Sequence, residues 1–423
     1  MSHSGKPIGL KTGFWSLFDQ GAVSLGNFLT QILLARNLNA SDYGVFALLY
    51  GLLFLLISSL GTVVTYPLSV QGARSDSRDL RRLAGVSLWL DAALVLPQAL
   101  VVLGGVALLH RLDLFPWVLV ALVSWQFQET LRRALMARLG HHDAAWGDAL
   151  SYLGQAVTIV ALTATRSLSL KGAFAAVAAT SALAAVVQAI QVRPRSVSIG
   201  EAKTVAVGFW KLGGWTLPTN VANGVTLHAF PWTLGLVFGA AEAGSLGAVM
   251  NPLKVLNPLL VAAPNWIVPT TSRAQHERGI QAASRSGLTY TVAGAGLLVP
   301  YFAVLLLWPH AVLSMAYGAS SPYTHLELAL RICAVAYSLG YWGDAFTSLL
   351  NGLGLPKESF VSQLGATATA VCIGLPLTIM GGLIGALVGV TVCALVKAAA
   401  SLYFVWDRAR GERAEMLPGR ATL

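Results

Sequence analysis

Charged residues are scarce in this chain, and their scarcity excludes most classes of soluble protein. Asp, Glu, Lys and Arg make up only 11% of the 423 residues, and the mean hydropathy is +0.66. A soluble domain of this length would not be expected to show such values. The polar segments are short, and none contains a glycine-rich loop that could hold nucleotide phosphates. The sequence therefore argues against a soluble enzyme and against ATP as an energy source within this chain.

Cysteine and histidine are also sparse, which limits disulfide and metal chemistry. The three cysteines, Cys333, Cys372 and Cys393, lie inside apolar segments, so a structural disulfide is not expected. His141 and His142 are adjacent, but they lie in a polar segment without a third ligand nearby. We therefore predict neither a metal site nor a cofactor.

Apolar runs long enough to cross a bilayer fill most of the chain. A spanning helix needs about 20 mostly apolar residues. The sequence predicts twelve spans, at 14–35, 45–66, 84–109, 115–131, 148–165, 168–190, 209–237, 241–263, 287–308, 325–350, 358–379 and 381–406. The predicted fold class is therefore an all-α integral membrane protein.

Lysine and arginine are concentrated in alternate polar segments. With the N-terminus placed inside, 21 of the 28 lie in inside segments or at the inner end of a span, four lie in outside loops or at the outer end of a span, and three lie deeper within spans. Cytoplasmic segments of membrane proteins carry such an excess, so we expect both termini in the cytoplasm. The net charge of +10 reflects this bias and contact with anionic membrane lipids. Because the basic residues are spread over seven segments, they do not indicate nucleic-acid binding.

Two short elements recur about 200 residues apart and indicate an internal repeat. The tripeptide Gly13-Phe14-Trp15 returns at 208–210, and the turn ending in Tyr43-Gly44 corresponds to the turn ending in Ala243-Gly244. The repeat predicts three parts, an N-lobe at 1–192, a cytoplasmic linker at 193–207 and a C-lobe at 208–423. Six spans in each lobe relate the lobes by a pseudo-two-fold axis along the membrane normal. Such facing lobes suggest alternating access, with the substrate held between them near the midplane.

The first span and the turn after it resemble a known family. Residues 28–36 read Phe-Leu-Thr-Gln-Ile-Leu-Leu-Ala-Arg, and Leu38 and Ser41-Asp42-Tyr43-Gly44 follow. This pattern resembles the opening of bacterial O-antigen and polysaccharide flippases of the multidrug/oligosaccharidyl-lipid/polysaccharide (MOP) exporter superfamily. The segment 264–286 is also similar to a cytoplasmic segment of that family.

The resemblance implies a fold, a location and a task. The fold would be a V-shaped, MATE-like pair of six-helix bundles in the bacterial cytoplasmic (inner) membrane. The substrate would be a polyprenyl-(pyro)phosphate-linked oligosaccharide, moved from the inner to the outer leaflet for cell-surface polysaccharide synthesis. Polysaccharide polymerase machinery would be a potential partner.

Lys254 is the most deeply placed charge in the predicted spans. It lies between Pro252 and Pro258, which remove backbone donors and kink a helix. Asn251 and Asn257 are candidates to satisfy the groups that the prolines free. A charge near the bilayer centre is unfavourable unless it faces a cavity or pairs. We predict a substrate-binding lysine beside a proline hinge, and the alternative is a structural lysine paired with an aspartate.

Two further cations lie within the spans of the C-lobe. Lys397 is central in the last span, and Arg331 lies near the outer face, four residues after Glu327. A pyrophosphate needs cationic side chains to replace its water, so these residues and Lys254 suggest a cationic cavity for an anionic lipid-linked sugar. For Arg331, the alternatives are an exposed pair with Glu327 and snorkelling to the interface.

Three acidic residues within spans are candidates for ion coupling. Asp19 and Asp91 lie in the N-lobe and Asp344 in the C-lobe. In one interpretation an acid binds the H⁺ or Na⁺ that drives transport, and Asp19 is the nearest match to an acidic residue that drug/proton relatives carry in their first span. In the other, the acids pair with cations and hold a lobe together.

Neutral polar residues and cytoplasmic arginines complete the candidate site. Residues that could hydrogen-bond sugar hydroxyls, or merely join helices, are Asn27, Gln31, Gln126, Asn220 and Asn223. Residues that could gather a pyrophosphate headgroup at the entrance, or merely reflect the charge bias of inside segments, are Arg132, Arg133 and Arg138.

Three functions compete for this sequence. The first is the flippase, and the second is a cation-coupled small-molecule or multidrug exporter of the same fold. The third is a membrane enzyme such as a polymerase or acyltransferase, which the short outer loops disfavour. The longest of these loops, 309–324, contains no Asp, Glu, Lys or Arg. We therefore expect a transporter and not an enzyme.

Overall fold

Helices account for all the regular structure within the part of the chain that is described. The computed structural model describes residues 10–214 and 217–415. The α-helices are α1 (Leu10–Asn37), α2 (Ala40–Gly72), α3 (Ser77–Leu108), α4 (Phe115–Ala137), α5 (His141–Asp148), α6 (Gly154–Ala164), α7 (Leu170–Val192), α8 (Ile199–Gly213), α9 (Leu217–Val237), α10 (Ala240–Lys254), α11 (Asn257–Leu307), α12 (Pro309–Tyr317), α13 (Glu327–Gly352), α14 (Pro356–Thr369) and α15 (Leu375–Glu415). Two π-helical segments, Ala149–Leu153 and Ala370–Gly374, continue α5 into α6 and α14 into α15.

Two of the longest helices are interrupted by a glycine with left-handed backbone. In α11, Gly279 has φ 80°, and in α15, Gly382 has φ 55°. Glycine adopts such angles without a steric penalty, so each helix consists of two segments joined at that residue. The break at Gly279 lies inside 264–286, the stretch that the sequence predicts to separate two spans. The helix before it therefore reaches farther than the predicted end at residue 263.

Membrane-spanning character is clearest in five of the described helical stretches. By length and composition, the stretches suited to cross a membrane are Ala40–Ser59, Ser77–Leu108, Leu170–Val192, Trp266–Leu307 and Pro356–Arg408. Two of these contain the glycine breaks. Other predicted spans are helical but more polar, and α4 is the clearest case because it carries Glu129, Arg132 and Arg133.

The chain folds into two compact units, Met1–Gly244 and Ser245–Leu423. In the first unit, α4 packs against α7, α2 packs against α3, α4 and α9, and α1 packs against α5 and the adjoining π segment. In the second unit, α13 packs against α11 and α15. The predicted linker at 193–207 is helical from Ile199 onward. Helix packing places α8 and α9 in the first unit. These units are defined by packing and the predicted lobes at 1–192 and 208–423 by the repeat, so the lobes stay a prediction.

The two turns of the predicted repeat pack against each other within the first unit. A Cβ added at Gly44 would overlap the Ala240 carbonyl oxygen, and one added at Gly244 would lie 3.0 Å from the Ala40 carbonyl oxygen. Each residue of the second pair is the repeat equivalent of one in the first pair, because Gly44 and Gly244, and likewise Ala40 and Ala240, differ by 200 residues, the offset between the turns in the sequence. Reciprocal contacts of this kind arise where equivalent surfaces meet across a two-fold axis.

Candidate functional site

Helix α4 carries polar side chains on two faces and positions most of the buried site in the first unit. Gln126 and Thr130 are one turn apart and both bond to Asp91 on α3. Gln128 and Arg132 are also one turn apart, and both bond to Asp148 on α5. Side chains four residues apart share one face of a helix. The spacing therefore determines which two carboxylates α4 can bind.

Arg132 is the centre of a buried ion cluster. Its guanidinium pairs with Asp148, with Asp19 on α1 at 3.0 Å and with Glu129 at 3.3 Å. Arg133 pairs with the other Glu129 oxygen at 2.6 Å. We call these five residues the Arg132 cluster. It joins α1, α4 and α5, and its ion pairs are largely shielded from water.

Buried acids outnumber buried cations in the Arg132 cluster. The side chains of Asp19 and Asp148 are 3% and 0% exposed and that of Glu129 is 14% exposed, against 10% for Arg132 and 44% for Arg133. The Asp19 and Asp148 carboxylates pair with the same Arg132 guanidinium, and Asp19 Oδ1 has no partner within the described residues. Burying a charge without a counter-charge is unfavourable. The cluster thus has the composition of a site that takes up a proton or a small cation.

A close approach between α1 and the π segment brings Asp19 and Asp148 together. A Cβ added at Gly26 would lie 2.5 Å from the Tyr152 carbonyl carbon, so only glycine permits this helix contact. Tyr152 is held in turn by Trp125, whose indole Nε1 donates to its hydroxyl at 3.1 Å. π-Helical bulges occur often at functional sites.

Asp91 forms a second buried site, and the groups that bind it are neutral. Its carboxylate accepts from Thr130 Oγ1 at 2.6 Å and from Gln126 Nε2 at 3.1 Å. Among the described residues, no Lys, Arg or His lies within 4.0 Å of it. The Gln126 Oε1 atom is also buried without a partner there. Asp91 is therefore a buried carboxylate with neutral partners, and a proton could bind there.

Lys254 lies at an interruption between α10 and α11 in the second unit. Its Nζ donates to Asn251 Oδ1 at 2.9 Å, and within the described residues no carboxylate lies within 4.0 Å of it. Pro252 leaves the Ala248 carbonyl without its helical donor. The Tyr317 hydroxyl fills that role at 2.7 Å.

The groups freed at the prolines are satisfied by tyrosines and not by the asparagines alone. Besides Tyr317, the Tyr301 hydroxyl donates to the Pro252 carbonyl at 2.7 Å. Asn251 Nδ2 contacts Tyr317 Oη at 3.4 Å. The predicted break between Pro252 and Pro258 is present, because α10 ends at Lys254 and α11 begins at Asn257. Its action as a hinge stays a prediction.

The other two cations of the proposed cavity have different surroundings. Lys397 Nζ pairs with Asp344 Oδ1 at 2.6 Å. Arg331 Nε donates to the Leu306 carbonyl at 3.0 Å, and Glu327 contacts His310 at 3.1 Å. Asp19 and Asp344 thus both pair with cations, as the structural alternative expects, whereas Asp91 does not. The roles of all these residues in substrate binding or ion coupling stay predictions.

The predicted sugar-binding residues that the structure describes have different surroundings. Asn27 accepts from the Tyr50 hydroxyl at 2.7 Å, and Gln31 contacts the Tyr43 hydroxyl at 3.4 Å. Asn220 is exposed. The side chain of Asn223 lies outside the described residues.

The three predicted entrance arginines all have acidic partners. Arg132 is buried in its cluster, Arg133 pairs with Glu129, and Arg138 pairs with Asp143 at 3.1 Å. Their charges are already balanced in part, which weakens the argument for headgroup capture. That role stays a prediction.

Sequence reasoning missed Glu129, Gln128 and Asp148. For Glu129 the signal was present, because Gln126, Glu129, Thr130 and Arg133 follow a three-to-four-residue spacing. The predicted fourth span ends at residue 131, so hydropathy alone assigns the polar end of α4 to a loop.

Comparison with solved structures finds the same fold among MOP superfamily transporters. An inward-facing multidrug resistance MATE family transporter matches with a TM-score of 0.76 at 14% identity, over 94% of this chain and 99% of the other. An outward-facing MATE family transporter gives 0.63 at 14% identity over 95% of both chains. A MOP superfamily transporter from Pyrococcus furiosus, described as having a binding pocket of reverse polarity, gives 0.64 at 15% identity over 94% of both.

These likenesses concern the fold. No protein-family model matches the sequence, and no curated protein matches it significantly. The expected all-α, MATE-like fold is confirmed, and this chain has the architecture of MOP superfamily transporters.

Proposed function

We propose that this chain is a membrane transporter that works by alternating access and couples the movement of its cargo to H⁺ or Na⁺. The fold supports a transporter, because the similar structures are described as multidrug resistance MATE transporters in inward-facing and outward-facing conformations. The same descriptions favour export of small molecules as the task. We therefore place the cation-coupled exporter first.

The observation that carries the coupling is the excess of buried acids in the Arg132 cluster. Asp19 and Asp148 are more completely buried than Arg132, and both pair with its single guanidinium. A bound proton or Na⁺ would offset the surplus negative charge, and its release would restore repulsion between α1 and α5. A ligand shifts a conformational equilibrium only through such a difference between states. Cation binding at this cluster would thereby bias the two states of the transporter.

Dye efflux from proteoliposomes tests the coupling. The purified chain would be reconstituted, ethidium loaded as the probe cargo, and efflux driven by an imposed pH gradient or Na⁺ gradient. We expect gradient-driven efflux from the wild type and its loss in Asp148→Asn and Asp19→Asn. Asp143→Asn is the matched control, since Asp143 lies on α5 but is 40% exposed.

A second readout does not require the correct cargo. The melting temperature of the detergent-solubilised protein should depend on Na⁺ concentration or pH in the wild type and in Asp143→Asn. That dependence should be reduced in Asp19→Asn and Asp148→Asn. Equal cation dependence in all four proteins would exclude coupling at the cluster, whatever the cargo is.

A lipid-linked oligosaccharide flippase is the second candidate, and Lys254 favours it. A partly buried ammonium whose described partner is the neutral Asn251 suits a phosphate-bearing substrate better than a cationic drug. In this version the chain lies in the bacterial inner membrane with both termini cytoplasmic. It works beside polysaccharide polymerase machinery, and a pyrophosphate neutralises Lys254 before the lobes change orientation.

Complementation separates the two candidates. The chain would be expressed in a bacterium that lacks its own polysaccharide flippase, and surface polysaccharide would be scored. Restoration by the wild type and by exposed Lys357→Ala, but not by Lys254→Ala, would favour the flippase. Ethidium efflux without restoration would favour the small-molecule exporter.

A further inference from the structure

Four arginines converge on one cavity at the end of the first unit that is predicted to face the cytoplasm. Arg78 and Arg81 come from the first turns of α3, and Arg193 and Arg195 come from the segment after α7. Together they line a cavity of about 370 Å³. We call it the arginine cavity. It is separate from the Arg132 cluster, with which it shares no residue.

The arginine cavity has no acidic partner of its own within the described residues. None of its four guanidiniums lies within 4.0 Å of a carboxylate there, although neighbouring Arg82 pairs with Glu201 and Arg138 pairs with Asp143. All four side chains are exposed. The charge bias of cytoplasmic segments explains arginines scattered along a surface. It does not explain four unneutralised charges around one cavity.

Backbone contacts hold the four arginines together against their mutual repulsion. The Arg195 amide donates to the Arg81 carbonyl at 2.9 Å, and Arg81 Nε contacts the Val192 carbonyl at 3.4 Å. Arg193 ends α7 with φ 54°, in the left-handed region. A Cβ added at Gly85 would overlap the Arg195 carbonyl oxygen. The segment therefore docks on α3 only because residue 85 is glycine.

An apolar stripe on α7 leads away from the arginine cavity. Leu183, Val186 and Ile190 are 53%, 57% and 65% exposed, and their spacing places them on one helix face. Ile190 also lines a neighbouring cavity of about 420 Å³ that shares Arg81 and Arg193 with the arginine cavity. Cationic and apolar surfaces thus adjoin, and a ligand that fits both has an anionic head and a hydrocarbon chain.

We propose that the arginine cavity binds the phosphate headgroup of an anionic phospholipid, with an acyl chain lying along the α7 stripe. Arginine forms bidentate bonds with phosphate oxygens, and basic pockets on the cytoplasmic side of membrane proteins recognise such headgroups. The site binds a bilayer lipid from the side of the first unit. It depends on neither the cargo nor the coupling ion.

Lipid titration of the full-length protein tests this site. Phosphatidylglycerol, with phosphatidylcholine as the neutral reference, would be added in mixed micelles and bound lipid counted by native mass spectrometry. Arg193→Gln/Arg195→Gln should weaken phosphatidylglycerol binding at least tenfold, since each basic residue near an anionic lipid contributes about fivefold. The matched control is Arg273→Gln/Arg278→Gln, which removes the same charge from exposed positions of the second unit.

Gly85→Ala tests the same proposal without removing any charge. It should weaken phosphatidylglycerol binding by displacing the Arg195 segment. Gly104→Ala on the same helix, which would meet nothing within 4 Å, should leave it unchanged. Melting temperatures in phosphatidylcholine would show that the variants fold.

Three outcomes would overturn the proposal. One is equal binding of the two phospholipids by the wild type. Another is equal loss of phosphatidylglycerol binding in both double variants, which would indicate general surface charge. The third is full competition by inorganic phosphate at the same concentration as the lipid, which would assign the cavity to a soluble anion.

Discussion

Replacing Gly44 by alanine tests the reciprocal contact between the two repeat turns. The added Cβ would lie closer than 3.0 Å to the Ala240 carbonyl oxygen, a separation that Cβ atoms essentially never show. The clash is with backbone, so no side-chain rotation can relieve it, and α2 or α10 must shift. Overpacking of this kind destabilises a protein by about 1–3 kcal/mol, and occasionally by more. We expect the upper end, about 3 kcal/mol, for Gly44→Ala.

The reciprocal substitution should be milder. In Gly244→Ala the Cβ would lie 3.0 Å from the Ala40 carbonyl oxygen, so a displacement of a few tenths of an ångström suffices. We expect a destabilisation of about 1 kcal/mol, at the lower end of the same range. The control is Gly104→Ala, which meets nothing within 4 Å and should leave stability unchanged or raise it by up to about 1 kcal/mol.

The assay is reversible unfolding of the purified chain in mixed micelles with increasing denaturing detergent, followed by circular dichroism. The free energy of unfolding should decrease in the order Gly104→Ala, Gly244→Ala, Gly44→Ala. A Gly44→Ala protein as stable as the Gly104→Ala protein would refute the close packing of the two turns.

Three other substitutions probe buried polar contacts and one surface ion pair. Tyr317→Phe removes the donor to the Ala248 carbonyl and should lower the free energy of unfolding by about 1–3 kcal/mol in the same assay. Arg132→Ala leaves buried acids unpaired and should destabilise by about 3–5 kcal/mol, unless the acids are protonated at low pH. The hydrogen bond from Arg111 lowers the pKa of Asp113 in the folded protein. The pair therefore stabilises the fold at any pH above the ordinary Asp pKa. This stabilisation is lost as the pH falls through the lowered pKa of the folded protein. Asp113→Asn should therefore remove part of the acid sensitivity of the melting temperature below about pH 4.

Several features of the fold can be predicted from short stretches of the sequence. Long apolar runs predict helices because a helix satisfies its own backbone groups in lipid. The break near Lys254 follows from Pro252 and Pro258, because proline removes a helical hydrogen bond. The repeat is visible in the 200-residue offset between Gly44 and Gly244. In the structure the two turns at this offset pack against each other.

The ends of the spans and the bonding partners of polar side chains are harder to predict from the sequence. Hydropathy assigns the polar end of α4 to a loop because Glu129, Arg132 and Arg133 lower it, although their partners allow them to lie within a helix. Tyr317 could not be assigned to the carbonyl freed by Pro252, since it comes from α12. The linker predicted at 193–207 stays a prediction, and α8 begins within it at Ile199.

The sequence by itself determined the helical class, the approximate spans and the repeat, because each depends on residues within a few turns of one another or on a constant offset. Only the tertiary structure decided which charges meet. Asp19 and Arg132 are 113 residues apart and Lys397 and Asp344 are 53 apart. Nothing in the local pattern of either partner specifies the other. Helix packing brings them together, and with them the surplus of buried acid on which the proposed coupling depends.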